Sequence, residues 1–176
     1  MSGLCFIGKD EADTARVAMA IAPWLRPGDA ILLEGGLAVG KTHFVKALVK
    51  ALGSDDLVTS PTFALAQFYR TAAGGFLHVD AYRLSGIAEY RDLGLEEYSE
   101  TSIVAVEWGD KVAACFPGAL SVSMDFAEPD GDARRITMAS ENPRWRAPLA
   151  HLEREMPGRV LAQGNRNATK NTNHEK

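Results

Sequence analysis

Eight consecutive residues, Gly35-Gly36-Leu37-Ala38-Val39-Gly40-Lys41-Thr42, have the types and spacing of a polyphosphate cradle. Glycines at 35 and 40 let the backbone turn tightly and bring N–H groups close to an anion, and a helix starting at the end of such a loop adds the positive end of its dipole. Lys41 supplies a charge to the outer phosphates, and the Thr42 hydroxyl offers a ligand to Mg²⁺. Chemistry at a terminal phosphate also needs a carboxylate for the metal, a group that orients the attacking oxygen, and a segment that senses the phosphate. Asp80, in the apolar run Leu77-His-Val-Asp-Ala, and Glu107, closing Ile103-Val-Ala-Val106, are carboxylates that would be costly to bury without a metal or a cation. A salt bridge to Arg83 is the purely structural alternative for either. Ser60-Pro61-Thr62 sets two hydroxyls on a stiffened turn. Taken singly, Trp108, Tyr82 and His78 read as packing residues and His43 as a solvated helix position.

These residues have to be held by strands and helices. Residues 4–7 read as a short strand and 11–25 as a helix with Ala15, Ala18, Met19 and Ala22 at helical spacing. Residues 30–34 are a buried strand, the glycine loop follows, and 41–52 form a helix with Phe44, Val45, Leu48, Val49 and Leu52 inward. Runs 63–70 and 76–82 predict an antiparallel pair across a glycine-bearing turn. A short helical stretch at 88–100 leads to a buried strand at 102–106, and 110–115 reads as one or two helical turns. Runs 119–126 and 134–139 predict a second hairpin, and 143–155 a closing helix with Trp145, Leu149 and Leu152 on one side. The alternation predicts a three-layer α/β P-loop domain over residues 1–156, with a mixed sheet that is parallel around the phosphate strand and antiparallel at the hairpins. Residues 157–176, rich in Gln, Asn, Thr, Lys and Gly, are expected to be a disordered tail.

At 176 residues and 46% hydrophobic content the chain can bury one sizeable core. Its net charge of −4 provides no global field for nucleic acid or anionic membrane. Cys5 and Cys115, far apart in apolar surroundings, suit buried thiols of a reducing compartment. Lys9-Asp10-Glu11 interrupts any signal-peptide core, and no run approaches the ~18 apolar residues of a span, so a cytoplasmic protein without a membrane partner is expected.

Four ordered motifs, Leu33-Glu-Gly-Gly-Leu-Ala-Val-Gly-Lys-Thr42, Ser60-Pro-Thr-Phe63, His78-Val-Asp-Ala-Tyr-Arg-Leu84 and Val106-Glu-Trp108, resemble the TsaE family, also called YjeE. The likeness runs from about residue 14 to 108 and more loosely to about 139. It implies a slow, partner-stimulated, Mg²⁺-dependent ATPase of tRNA threonylcarbamoyladenosine synthesis. Such a protein binds the TsaD–TsaB heterodimer, resets it between rounds by hydrolysing ATP, and meets tRNA only through the complex; self-association stays open. The resemblance implies nucleotide contacts at Gly35, Gly36, Leu37, Ala38, Val39, Gly40, Lys41, Thr42, His43, Thr62 and Trp108. It further implies Mg²⁺ contacts at Thr42, Asp80 and Glu107, and catalytic roles for Lys41, Asp80 and Glu107. Residues 60–62 would be a first switch and Glu107 with Trp108 a second. Asp80 would stand on the metal side and Glu107 would orient water, with the two roles exchangeable.

The chain departs from the family pattern at Gly36, usually a polar residue, and at Ala38, usually glycine. A left-handed backbone at Ala38 would cost on the order of 1 kcal/mol and make a weaker or slower ATPase. Rival readings are a small-molecule P-loop kinase, which would need an arginine-bearing lid, and a nucleotide-gated scaffold with little turnover. A regulatory GTPase lacks support, since neither Asn-Lys-x-Asp nor Asp-x-x-Gly occurs.

Overall fold

A strand covered on both faces must present apolar residues to each, and β2 (Ala30–Glu34) does so: Ile31 and Leu33 enter one core and Leu32 the other. The computed structural model describes residues 2–128, 131–156 and 160–161. Around β2 it arranges β1 (Ser2–Gly8), β3 (Ala66–Thr71), β4 (Gly74–Asp80), β5 (Ser102–Glu107), β6 (Leu120–Phe126), β7 (Arg134–Ser140) and β8 (Val160–Leu161). The sheet order is β3-β4-β5-β2-β6-β7-β1-β8. Strands β4, β5, β2 and β6 are parallel neighbours, whereas β3 on β4, β7 on β6 and on β1, and β8 on β1 are antiparallel. The mixed sheet read from the sequence is therefore the observed one.

Helices α1 (Glu11–Ile21), α2 (Lys41–Ala51) and α4 (Arg146–Glu155) pack Val17, Phe44, Leu48 and Leu152 against one face. The short α3 (Ile87–Asp92) and 3₁₀ turns at Leu95–Tyr98 and Gly109–Cys115 cover the other with Tyr90, Leu95 and Val112. All five inward positions assigned to the α2 segment are buried, as are Trp145, Leu149 and Leu152.

Three local expectations need correction. The first helix stops at Ile21 and continues as a 3₁₀ turn over Ala22–Trp24, because Pro23 has no N–H to offer. Its inward face is Thr14, Val17, Ala18 and Ile21, while Met19 is 48% exposed. The first hairpin starts at Ala66 rather than at residue 63: the Leu65 N–H turns back to the Pro61 carbonyl (2.6 Å) and Leu65 has φ 65°, so residues 63–65 form a turn. Cys5 and Cys115 are free, as expected, but half-buried rather than buried.

Val160–Leu161, which composition places in the tail, pair with Phe6 and Cys5 and cover part of an otherwise open edge of β1. The disorder expected for 164–176 lies outside the described residues. Among the described residues no helix is long and apolar enough to cross a membrane.

Candidate nucleotide-binding site

The C-terminal ends of β2, β4 and β5 converge on one spot, and the loop leaving β2 wraps over it. That loop requires unusual backbone: Gly35 has φ 133°, Gly40 φ 114°, and Ala38 φ 60°. Val39 is buried in the core and anchors the loop from below, and its carbonyl accepts from Arg134 Nε at 3.4 Å. Helix α2 then begins at Lys41 with no side-chain cap, leaving its first N–H groups for a ligand.

The Lys41 side chain folds back under the loop. Its Nζ donates to the carbonyls of Gly35 (2.8 Å) and Gly36 (2.7 Å) and lies 4.0 Å from the centroid of the Trp108 ring. Burial lowers the Lys41 pKa from the usual 10.5, opposed by the charges of Glu107, Asp80 and Asp110. Between the lowered value and 10.5 the native chain holds a neutral amine while the unfolded chain is still protonated. The unfolded state then binds more protons, so native stability rises with pH across that window. Thermal melts should therefore show the Tm gap between wild type and Lys41→Met shifting in favour of wild type as pH climbs toward 10.5.

The two carboxylates stand side by side, since the β4–β5 register pairs Asp80 with Glu107. Glu107 Oε1 accepts from the Thr42 hydroxyl at 2.7 Å and lies 2.9 Å from His78 Nε2. Asp80 Oδ2 accepts from the Thr62 hydroxyl at 2.6 Å, and its Oδ1 from the Tyr82 N–H at 2.9 Å. Ser60 and Thr62 hydroxyls are bonded to each other at 2.7 Å. Arg83 is exposed and among the described residues pairs with neither carboxylate, so the salt-bridge alternative is not realised.

A cavity of about 390 Å³ opens over these groups. From the loop and helix it is lined by Leu37, Ala38, Gly40, Lys41, Thr42 and His43, and from the other side by Ser60, Thr62, Asp80, Tyr82, Glu107 and Trp108. Of the residues expected to touch nucleotide, Gly35, Gly36 and Val39 do not line it: the two glycines face Lys41 with their carbonyls and Val39 faces the core. His43 lines the wall, but its Nε2 lies 3.0 Å from the Glu11 carbonyl oxygen. Two residues read as packing belong to the site. Tyr82 is half-exposed at the mouth beside Trp108, with ring centroids 5.1 Å apart, and His78 reaches Glu107. The signal for His78 was present in its spacing, because His78 and Asp80 share one face of β4.

The donor set, namely loop amides at a helix start, a buried ammonium, and a hydroxyl beside a carboxylate, suits a triphosphate with Mg²⁺. Ala38 supplies a direct check on the loop. Its φ of 60° is the left-handed region in which an alanine Cβ costs about 1 kcal/mol. Because that strain is already present in the ligand-free loop, Ala38→Gly should raise Tm by up to about 3 °C in thermal melts, and an unchanged Tm would show that the strain has no weight.

Residues 8–136 match the family described as "Threonylcarbamoyl adenosine biosynthesis protein TsaE". The chain is 37% identical over 135 residues to the tRNA threonylcarbamoyladenosine biosynthesis protein TsaE of Treponema pallidum, covering 76% of this chain and 98% of that protein. It is 38% identical over 131 residues to the Streptomyces coelicolor protein of the same name, covering 71% and 88%. The crystal structure of Bacillus subtilis YdiB superposes with a TM-score of 0.72 at 26% identity, over 88% of this chain and 96% of that one. With matching sequence across most of its length and a matching fold, the chain belongs to the TsaE family.

Proposed function

We propose that this chain is the Mg²⁺-dependent ATPase component of tRNA threonylcarbamoyladenosine synthesis, acting on a TsaD–TsaB pair and meeting tRNA through that pair. The observation that carries the catalytic part is the hydrogen bond from Thr42, on the first turn of α2, to Glu107 at the end of the strand beside β2. It joins a hydroxyl and a carboxylate beside a helix start that favours phosphate. The pathway and the partners come from the family.

In this reading the loop amides and the α2 terminus hold the phosphates, and Lys41 leaves the Gly35 and Gly36 carbonyls to pair with the outer ones. Thr42 and Glu107 hold Mg²⁺, which when bound neutralises charge on the phosphates. Asp80 is bonded to the Thr62 hydroxyl and so is suited to sense and orient the water side through the 60–62 segment. The Thr42–Glu107 contact thus favours exchanging the two carboxylate roles first assigned by resemblance. Trp108 and Tyr82 close the mouth.

Two arginines that a kinase lid could use are committed elsewhere: Arg134 is buried against the Val39 carbonyl and the Phe126 ring, and Arg144 is tied to Asp29 and the Trp24 carbonyl. The deciding experiment measures ATP hydrolysis by the purified chain with Mg²⁺, alone and with a TsaD–TsaB pair. Slow hydrolysis accelerated by the pair is expected. A TsaD–TsaB pair that neither binds the chain nor stimulates it would defeat the pathway role, and absence of any nucleotide binding would defeat the site.

A further inference from the structure

We propose that His78 is a positioning residue for Glu107, its Nε2–H holding the carboxylate in the orientation that meets Thr42; this deepens the ATPase reading and rests on it. His78 is fully buried on β4, on the same face as Phe76 and Asp80, while its neighbours Leu77 and Val79 pack the opposite core. Its Nε2 lies 2.9 Å from Glu107 Oε1. Its Nδ1 has no partner among the described residues.

That asymmetry fixes the tautomer. A proton on Nδ1 would be a buried donor with nothing to accept it, whereas a proton on Nε2 points at a carboxylate oxygen. Glu107 Oε1 therefore receives two donors from different sides, Thr42 Oγ1 from the helix and His78 Nε2 from the strand. Two donors on one oxygen define the side chain's rotation in a way that Thr42 alone does not. An aliphatic residue would fill the same space without leaving an orphaned lone pair, so packing alone is a poor explanation for a histidine there. Because the ring is sealed from solvent, no water takes over when it is removed.

The test compares His78→Leu, which keeps an apolar filling, with His78→Gln, whose amide N–H₂ reaches roughly as far as Nε2. Loss of an orienting partner behind a ligand side chain costs about ten- to a hundredfold in metal affinity or activity. His78→Leu should lower kcat for ATP hydrolysis by at least about tenfold and raise the Mg²⁺ concentration needed to strengthen nucleotide binding. Its nucleotide affinity in EDTA should match wild type, and His78→Gln should recover most of both losses. A folded His78→Leu with wild-type kcat and Mg²⁺ dependence overturns the proposal, and so does a folded His78→Gln as impaired as the leucine variant. Should the leucine variant fail to fold, ¹⁵N-histidine NMR of the ligand-free wild type decides: an Nε2–H tautomer for His78 whose Nε2 resonance moves in Glu107→Gln supports the proposal, and an Nδ1–H tautomer or a resonance unmoved by Glu107→Gln overturns it. A wild-type chain that binds nucleotide with Mg²⁺ while His78→Leu behaves identically sinks only this inference. A wild type that binds no nucleotide sinks the ATPase reading with it.

Discussion

Glu107→Gln is expected to lower ATP hydrolysis by about two to three orders of magnitude while leaving the chain folded. The amide oxygen of glutamine can still accept from Thr42 and His78, as Oε1 does now at 2.7 and 2.9 Å, so the contacts that hold β5 to α2 and β4 survive. What disappears is the negative charge, which in the proposed ATPase would serve Mg²⁺ and which also raises the Lys41 pKa against the effect of burial. Single-turnover hydrolysis with excess chain isolates the chemical step, and Tm from calorimetry checks the fold. Asp80→Asn is the informative companion, since Asp80 is bonded to Thr62 and to the Tyr82 backbone rather than to Thr42. A Glu107→Gln variant that hydrolyses ATP at the wild-type rate would remove Glu107 from the machinery.

The largest structural effect is expected from Gly35→Ala. A Cβ there would lie 2.1 Å from the carbonyl oxygen of Met124 and 3.1 Å from Val39 Cγ1, with φ at 133°. Met124 sits in β6, which is paired to β2 through Glu34 and Ser123, so its backbone cannot retreat without loosening the centre of the sheet. Clash and strain together should cost about 3 kcal/mol or more, a large part of a domain stability of roughly 5–15 kcal/mol. For a chain of this size that is a fall of roughly 6–12 °C in Tm. The control is one residue away. A Cβ on Gly36 meets nothing within 4 Å, so Gly36→Ala should melt within about two degrees of wild type. Equal melting of both variants would contradict the loop geometry.

Residues with one physical solution were readable from sequence. β2 and α2 were legible almost to the residue because an apolar run, a glycine loop and an amphipathic helix in succession leave little choice. α1 was misread on its face because alanines at 15, 18, 20 and 22 make several faces look apolar, and Val17 and Ile21 decide the packing. Residues 63–65 continue the apolar character of β3, yet Phe63 is 89% exposed, since the left-handed backbone at Leu65 leaves no trace in residue type. Among the site residues, Lys41, Thr42, Thr62, Asp80, Glu107 and Trp108 line one cavity, as their motifs suggested. His78 was read as packing because, although its spacing puts it on the face of Asp80, its partner Glu107 is 29 residues away and only the β4–β5 register brings the two together.

That register also divides the site by timescale. Asp80 and Glu107 are the last residues of two neighbouring interior strands, so their backbone spacing changes only when the β4–β5 ladder opens at that end, a slower event than loop motion. Thr62 and Trp108 sit on connecting segments, which rearrange in nanoseconds to microseconds. A partner that sets the pace of hydrolysis therefore has the hydroxyl and the indole to act on, and the carboxylate pair remains a fixed reference against which they move.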